Sequence, residues 1–317
     1  MQNGRVKSGV SPSPAAKLAL AVVTEPERAL PIPVGAREEA MRTLLQTAAD
    51  AGVALIATRP QGDSERLLGQ AWPFPSPFSV SVRTVGLSEG LDRVEARARR
   101  SLERMGLPRG DVLLASGAGD LAGAEGRALW ARMQALKDRG LYKRIGFMAT
   151  MEDGPALLAR RFQPDVVQMP CNILDQRPVT EGVLSDLAGL GVDVHVSSVF
   201  ARGLLFTNQE NLPPHLAGHG VALSRTRRRL AEARIDPMQA ALAFCLGLPP
   251  AAAVVASVAS AAELRAVLAA AHAPRPDLDW DALAFQEPAV LSAGYRQQIA
   301  AIHKRAARTT PSGILPA

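Results

Sequence analysis

The sequence predicts a single α/β domain closed into a (β/α)8 TIM barrel, because eight short β-type runs alternate with longer runs of helical period over about 270 residues. Two further observations support this. The 26 Gly and 24 Pro are spread along the chain, as many short connections require. No G-x-G-x-x-G opens a helix, which speaks against an open dinucleotide-binding sheet.

In chain order, Leu18 to Val23 reads as the first strand. A helix over Arg37 to Ala51 follows, with apolar Ala40, Met41, Leu44, Leu45 and Ala48 at helical spacing. Val53 to Ala57 and Phe78 to Val82 read as strands on either side of a helix from Glu65 to Trp72. An Arg-rich amphipathic helix over Val94 to Met105 leads to a strand at Asp111 to Ala115, then a helix through Ala128 to Leu136. Arg144 to Phe147, Val166 to Met169, Val192 to Val196 and Ala252 to Val255 complete the strand set. Helical stretches near Ala156, Val183 and Met238 to Leu246 separate them. The polar ends, 1–16 and 308–317, are expected to be flexible, leaving 17–307 as the barrel domain, with Trp280 to Arg308 packed outside it.

With 47% apolar and 21% charged residues, a large core is available and a disordered chain is excluded. Cys171 and Cys245 are far apart and outside any Cys-x-x-Cys or Cys/His cluster, so neither a disulfide framework nor a metal site is expected. No apolar run reaches the ~20 residues of a membrane span. The opening segment has no charged n-region followed by an apolar h-region, so a cytoplasmic location is expected. The net charge of +6 invites a nucleic-acid reading around Arg225, Arg227, Arg228 and Arg229, but these share a helix without interleaved aromatics. A solvated helical face is the simpler account.

Function in such a barrel is sought just after each strand. There, several blocks resemble the aldo-keto reductases. Ala51-Gly52-Val53-Ala54-Leu55-Ile56-Ala57-Thr58 with Gly62-Asp63-Ser64-Glu65 is similar to the stretch around that family's second strand. Ser101-Leu102-Glu103-Arg104-Met105-Gly106-Leu107 before Asp111-Val112-Leu113-Leu114, Leu136-Lys137-Asp138-Arg139-Gly140 before Ile145-Gly146, and Pro164-Asp165-Val166-Val167-Gln168 resemble the fourth, fifth and sixth strands with their approaches. The run Asn172-Ile173-Leu174-Asp175-Gln176-Arg177, with Val194 to Phe200 and Gly203-Leu204-Leu205, looks most like a bacterial subgroup associated with surface-sugar and flagellin modification.

The resemblance implies hydride transfer between NADPH and a carbonyl, assisted by Asp, Tyr, Lys and His. The matching positions carry Ala57, Gln61, Arg83 and Ser116. Reduction of a carbonyl needs a proton for the developing alkoxide, and an amide has no titratable proton to give. Arg83 keeps a positive charge but cannot act as a tunable ammonium. The nicotinamide-holding Ser-Asn corresponds to Met148-Ala149, and the ring-stacking aromatic to Ser197. The groups implied for the adenosine 2′-phosphate align with Ser257, Val258 and Glu263, the last of which would repel it. Gln168, Ser198, Gly203 and Ser260 are the cofactor-binding positions that remain under this resemblance.

Two functions are therefore expected as alternatives. One is a binding or scaffold module that needs no cofactor and takes an anionic small molecule or sugar, or a protein partner, but no nucleic acid or membrane. The other is a divergent NAD(P)H-dependent oxidoreductase using NADPH. Arg59, Arg83, Asp175, Arg177, His195 and Arg202 fall near strand ends, so a cationic mouth suited to a carboxylate or phosphate is expected. Asp175 and Arg177 are expected to brace a loop by pairing, His195 to be a structural residue within its strand, and Cys171 to be a buried inert thiol.

Overall fold

A computed structural model describes residues 14–23, 34–60, 62–73 and 75–291. Its strands are β1 (Leu18–Val22), β2 (Leu55–Thr58), β3 (Ser79–Arg83), β4 (Gly110–Ala115), β5 (Tyr142–Met148), β6 (Val166–Pro170), β7 (Asp193–Ser197) and β8 (Ala251–Val258). All pair in parallel with their sequence neighbours, and β8 pairs back to β1, giving the closed barrel that the alternating pattern predicts. The main difference from expectation is β8, which runs on past Val255. Ala256, Ser257 and Val258 pair with Leu20, Ala21 and Val22 of β1. The closing strand is extended by a partner more than two hundred residues away, which no local pattern reveals.

Helices α1 (Val34–Asp50), α2 (Ser64–Ala71), α3 (Leu91–Met105), α4 (Gly126–Asp138), α5 (Pro155–Phe162) and α6 (Val183–Gly189) each follow one strand. Between β7 and β8 lie two, α7 (Gly220–Glu232) and α8 (Pro237–Leu246), and α9 (Ala261–His272) follows β8. The logic of the layer is clearest in α3. Val94, Ala98, Leu102 and Met105 recur at helical spacing and are buried, while the other side carries its charges. Gly106, at φ 66°, ends the helix in the left-handed conformation that a side chain disfavours.

Both faces of the sheet are covered, so the strands are buried almost throughout. Leu20, Ile56, Val82 and Leu113 belong to the large outer core shared with the helices. Inside the barrel are two smaller groups. Val112, Leu114, Met148 and Val166 form one, and Ala19, Ala253 and Val255 with Ala21, Leu55 and Ala57 form the other. The second group is built mainly from alanines, and this side of the barrel is consequently less filled.

Gly146 permits the β5–β6 contact: a Cβ there would lie 1.9 Å from the Val166 carbonyl oxygen. Tyr142 is fully buried at the start of β5 and donates from its hydroxyl to the Ala98 carbonyl of α3 at 2.7 Å. Arg144 joins Asp111 of β4 to Asp193 of β7 by ion pairs to both.

Of the expected flexible ends, 1–13 and 308–317 lie outside the described residues, and Pro14–Lys17 forms one helical turn entering β1. The described start of the final segment packs against the loop after β6. Gln176 Nε2 donates to the Trp280 carbonyl at 2.6 Å, and the Phe285 amide donates to Leu174 at 2.8 Å.

Candidate functional site

The carboxyl ends of β1, β2, β3, β6 and β8 surround a cavity of about 110 Å³ that opens to solvent. Its cause can be read from the sheet register. Ala21 pairs with Ala57 on one side and Ser257 on the other, and Ala57 pairs with Ser81. Four adjacent positions thus carry small side chains where larger ones would have filled the mouth. Arg59, just past β2, and Arg83, ending β3, line the same cavity together with Gln168 of β6.

Arg59 and Arg83 are the only charged groups among the described lining residues. Both are half-buried, and neither meets a carboxylate among the described residues. Burial, and after it the charge of Arg83, holds the Arg59 guanidinium below its ordinary range. Thr58, also at this rim, has a buried hydroxyl with no partner among the described residues.

The expected site residues divide by position. Ala57, Arg83 and Gln168 meet in this cavity, whereas Gln61 lies outside the described residues. Ser116 is buried immediately after β4. Its amide donates to Thr84 Oγ1 at 3.1 Å, and its hydroxyl donates to Asp120 at 3.3 Å. Asp120 also accepts the Leu87 amide at 3.0 Å, so Ser116 belongs to a network bracing the loops after β3 and β4. Glu65 does not approach the mouth either, being buried 3.5 Å from Arg104 Nε between α2 and α3.

Ser198 lines a second cavity, also about 110 Å³, with Asn172, Asp175, Arg202, His215 and Leu216. Gly203 lies beside it in the loop after β7. Three non-glycine residues in this loop, Ser198, Ala201 and Arg202, have positive φ values of 56°, 47° and 59°. Such conformations cost on the order of 1–2 kcal/mol each, so the loop is held by its surroundings. Ser260 caps α9, accepting the Glu263 amide at 3.2 Å, while the Glu263 carboxylate accepts the Ala259 amide at 2.7 Å. The helix start is therefore already occupied by a carboxylate of its own.

Arg177 grips Asp175 through Nε at 2.8 Å and Nη2 at 2.6 Å, and reaches Glu152 at 2.7 Å, so this pair braces a loop as expected. His195 lies in mid-strand and is 2% exposed, with no partner for Nδ1 among the described residues. Burial first, and then Arg144, lowers its pKa to about 4, so the imidazole is neutral at pH 7. Cys171 and Cys245 are both buried with free thiols, which burial pushes up and makes unreactive. On α7, Arg227 and Arg229 donate to the carbonyls of Thr207 and Ala282, which accounts for part of the basic cluster. Among the described residues, no cluster is placed to hold a metal and no helix is long and apolar enough to cross a membrane.

Of the chain's two tyrosines, Tyr142 is committed to Ala98 at the opposite end of its strand from the mouth, and Tyr295 lies outside the described residues. Sequence reasoning missed Ser81 as a lining residue. Its signal was the alternation Ser79-Val80-Ser81-Val82-Arg83: in a strand buried on both faces, the polar set points to the barrel interior.

Comparison with known proteins places this geometry. Aldo-keto reductase AKR11C1 from Bacillus halodurans, in its holo form, superimposes with a TM-score of 0.64 at 20% identity, covering 90% of this chain and 91% of that one. A protein from Pseudomonas aeruginosa described as an aldo-keto reductase gives 0.59 at 20% identity, over 81% and 90% of the two chains. At these identities the likeness is one of fold. No curated protein matches the sequence. The profile of the Aldo/keto reductase family matches residues 35–284, most of the described barrel, and on this ground the chain belongs to the aldo/keto reductase family.

Proposed function

We propose that this barrel has lost NADPH-dependent carbonyl reduction and acts as a non-catalytic binding or scaffold module whose ligand enters at the Arg59–Arg83 mouth. The observation that carries the reading is the composition of that cavity. Its described lining offers two guanidinium groups, an amide and hydroxyls, and no carboxylic acid, imidazole or phenol. Among the described lining residues, an alkoxide forming there would find hydrogen bonds but no group able to deliver a proton near neutral pH. General acid catalysis of this kind is typically worth about 10²–10⁴ in rate.

The groups expected at a nicotinamide dinucleotide fit it poorly. Met148 and Ala149 are buried at the end of β5, and the Ala149 amide is already given to the Gln168 carbonyl at 3.0 Å. Glu263 holds its negative charge at the start of α9, where a phosphate would be repelled. A role in surface-sugar or flagellin modification, with a sugar acid or a protein as partner, rests on the sequence resemblance of Asn172 to Arg177 and Val194 to Phe200 alone.

A divergent NAD(P)H-dependent oxidoreductase is the second reading. It is favoured by Gln168 of β6, which lines the mouth, and by the second cavity beside Ser198 and Arg202. Calorimetric titration with NADPH and NADH separates the two. The binding-module reading expects no saturable heat at cofactor concentrations of about 0.1 mM. Saturable micromolar binding would overturn it in favour of the oxidoreductase.

A further inference from the structure

We propose that the mouth cavity binds a small hydroxy- or oxo-carboxylate of three or four carbons, its carboxylate held between the guanidinium groups of Arg59 and Arg83. This deepens the binding-module reading and rests on it.

The first argument is charge. Two cations line one half-buried cavity with no carboxylate among the described lining residues, and after burial the charge of Arg83 adds to the cost of keeping Arg59 charged. An anion between them offsets that cost and supplies acceptors that the two guanidinium groups do not find among the described residues. Nearby arginines elsewhere in the protein are treated differently. Arg177 has Asp175 and Glu152, Arg144 has Asp111 and Asp193, and Arg132 has Asp92 and Glu95. Unlike these three, Arg59 and Arg83 meet no carboxylate among the described residues.

The second argument is shape. A guanidinium presents a planar fork that matches a carboxylate in two parallel hydrogen bonds. The cavity of about 110 Å³ is smaller than the roughly 150 Å³ apolar cavity that accepts benzene, so it encloses about four or five heavy atoms, with more reaching out toward solvent. That size excludes a dinucleotide from the enclosed part and suits a short acid.

The third argument is the remaining lining. Ser81, Ser257 and Gln168 bring hydroxyl and amide groups to the cavity. A hydroxyl or keto oxygen beside the carboxylate gives these groups a partner, whereas a bare alkyl acid leaves them without one.

The test is calorimetry at constant ionic strength with lactate, pyruvate and malate, alongside propionate, neutral lactamide and inorganic phosphate. The expected result is saturable binding of at least one of the three acids, with a Kd on the order of 0.1–1 mM. Propionate should bind more weakly and lactamide not at all. Arg83→Gln and Arg59→Gln should each weaken binding by about tenfold to a hundredfold, while Arg228→Gln, which removes an exposed charge on α7, should leave it unchanged. If Arg83→Gln does not fold, Arg83→Lys keeps the charge, removes the fork, and should still cost about tenfold.

Absence of saturable binding by all three acids, equal affinity in the arginine variants, or phosphate binding as tightly as the best acid would each overturn the proposal. These failures are distinct from failure of the broader reading. Micromolar NADPH binding defeats the binding module whatever the acids do, and silence toward both acids and NADPH removes only the carboxylate site.

Discussion

Acidification should destabilise this protein through one imidazole. His195 is 2% exposed, and its pKa falls from the ordinary 6.5 to about 4, chiefly through burial. A histidine with a lowered folded pKa stays neutral in the native barrel while the unfolded chain already binds a proton. Its contribution to stability is therefore complete above about pH 6.5 and is lost as the pH falls from there toward 4. Linkage gives a loss of about 2 kcal/mol at pH 5 and about 3 kcal/mol at pH 4, with no discount for solvent because the ring is enclosed. The measurement is urea unfolding followed by circular dichroism at pH 7 and pH 5, on the natural protein and on His195→Gln. Other titrating groups are common to both, so the difference isolates the ring, and the variant should lose about 2 kcal/mol less over this interval. Equal losses would refute the reasoning and mean that the imidazole is protonated in the fold, stabilised by Asp193 and Asp111.

Four other outcomes are expected. Gly146→Ala should lower stability by about 3 kcal/mol or prevent folding, seen in thermal melts, because the new methyl would meet the Val166 carbonyl. Ala201→Gly should raise stability by about 0.5–1 kcal/mol in the same assay by relieving a φ of 47°. Ser260→Ala should cost about 1 kcal/mol by removing the cap of α9. The triple variant Gln61→Tyr, Ala57→Asp, Arg83→Lys should give no turnover of a generic aldehyde with NADPH, because Met148, Ala149 and Glu263 are unchanged. Measurable turnover in a coupled absorbance assay would contradict the proposed loss of cofactor binding.

The barrel was legible because its signals are local. Each strand is a short run rich in apolar or alternating residues, and helices such as α3 show their buried face at the spacing of Val94, Ala98, Leu102 and Met105. The end of β8 was not legible, since pairing of Ser257 and Val258 depends on β1 at the other end of the chain. The arginines of the mouth could be placed near strand ends from sequence, but their isolation could not. Arg177 has Asp175 two residues away, which made that pair readable, but its second carboxylate, Glu152, and the second arginine beside Arg59 come only from the fold. Ser116 shows the same limit from the other side, as its link to Asp120 makes it part of a brace rather than of the cavity lining.

The small residues at positions 21, 57, 81 and 257 sit on a sheet whose register is fixed by all eight strands. Ligand capacity is thereby separated from folding: enlarging any one of these side chains would trim the chamber by a methyl or two while the scaffold stays put. A descendant could change the length of molecule that fits through single steps, each viable by itself, and keep the two arginines at the rim.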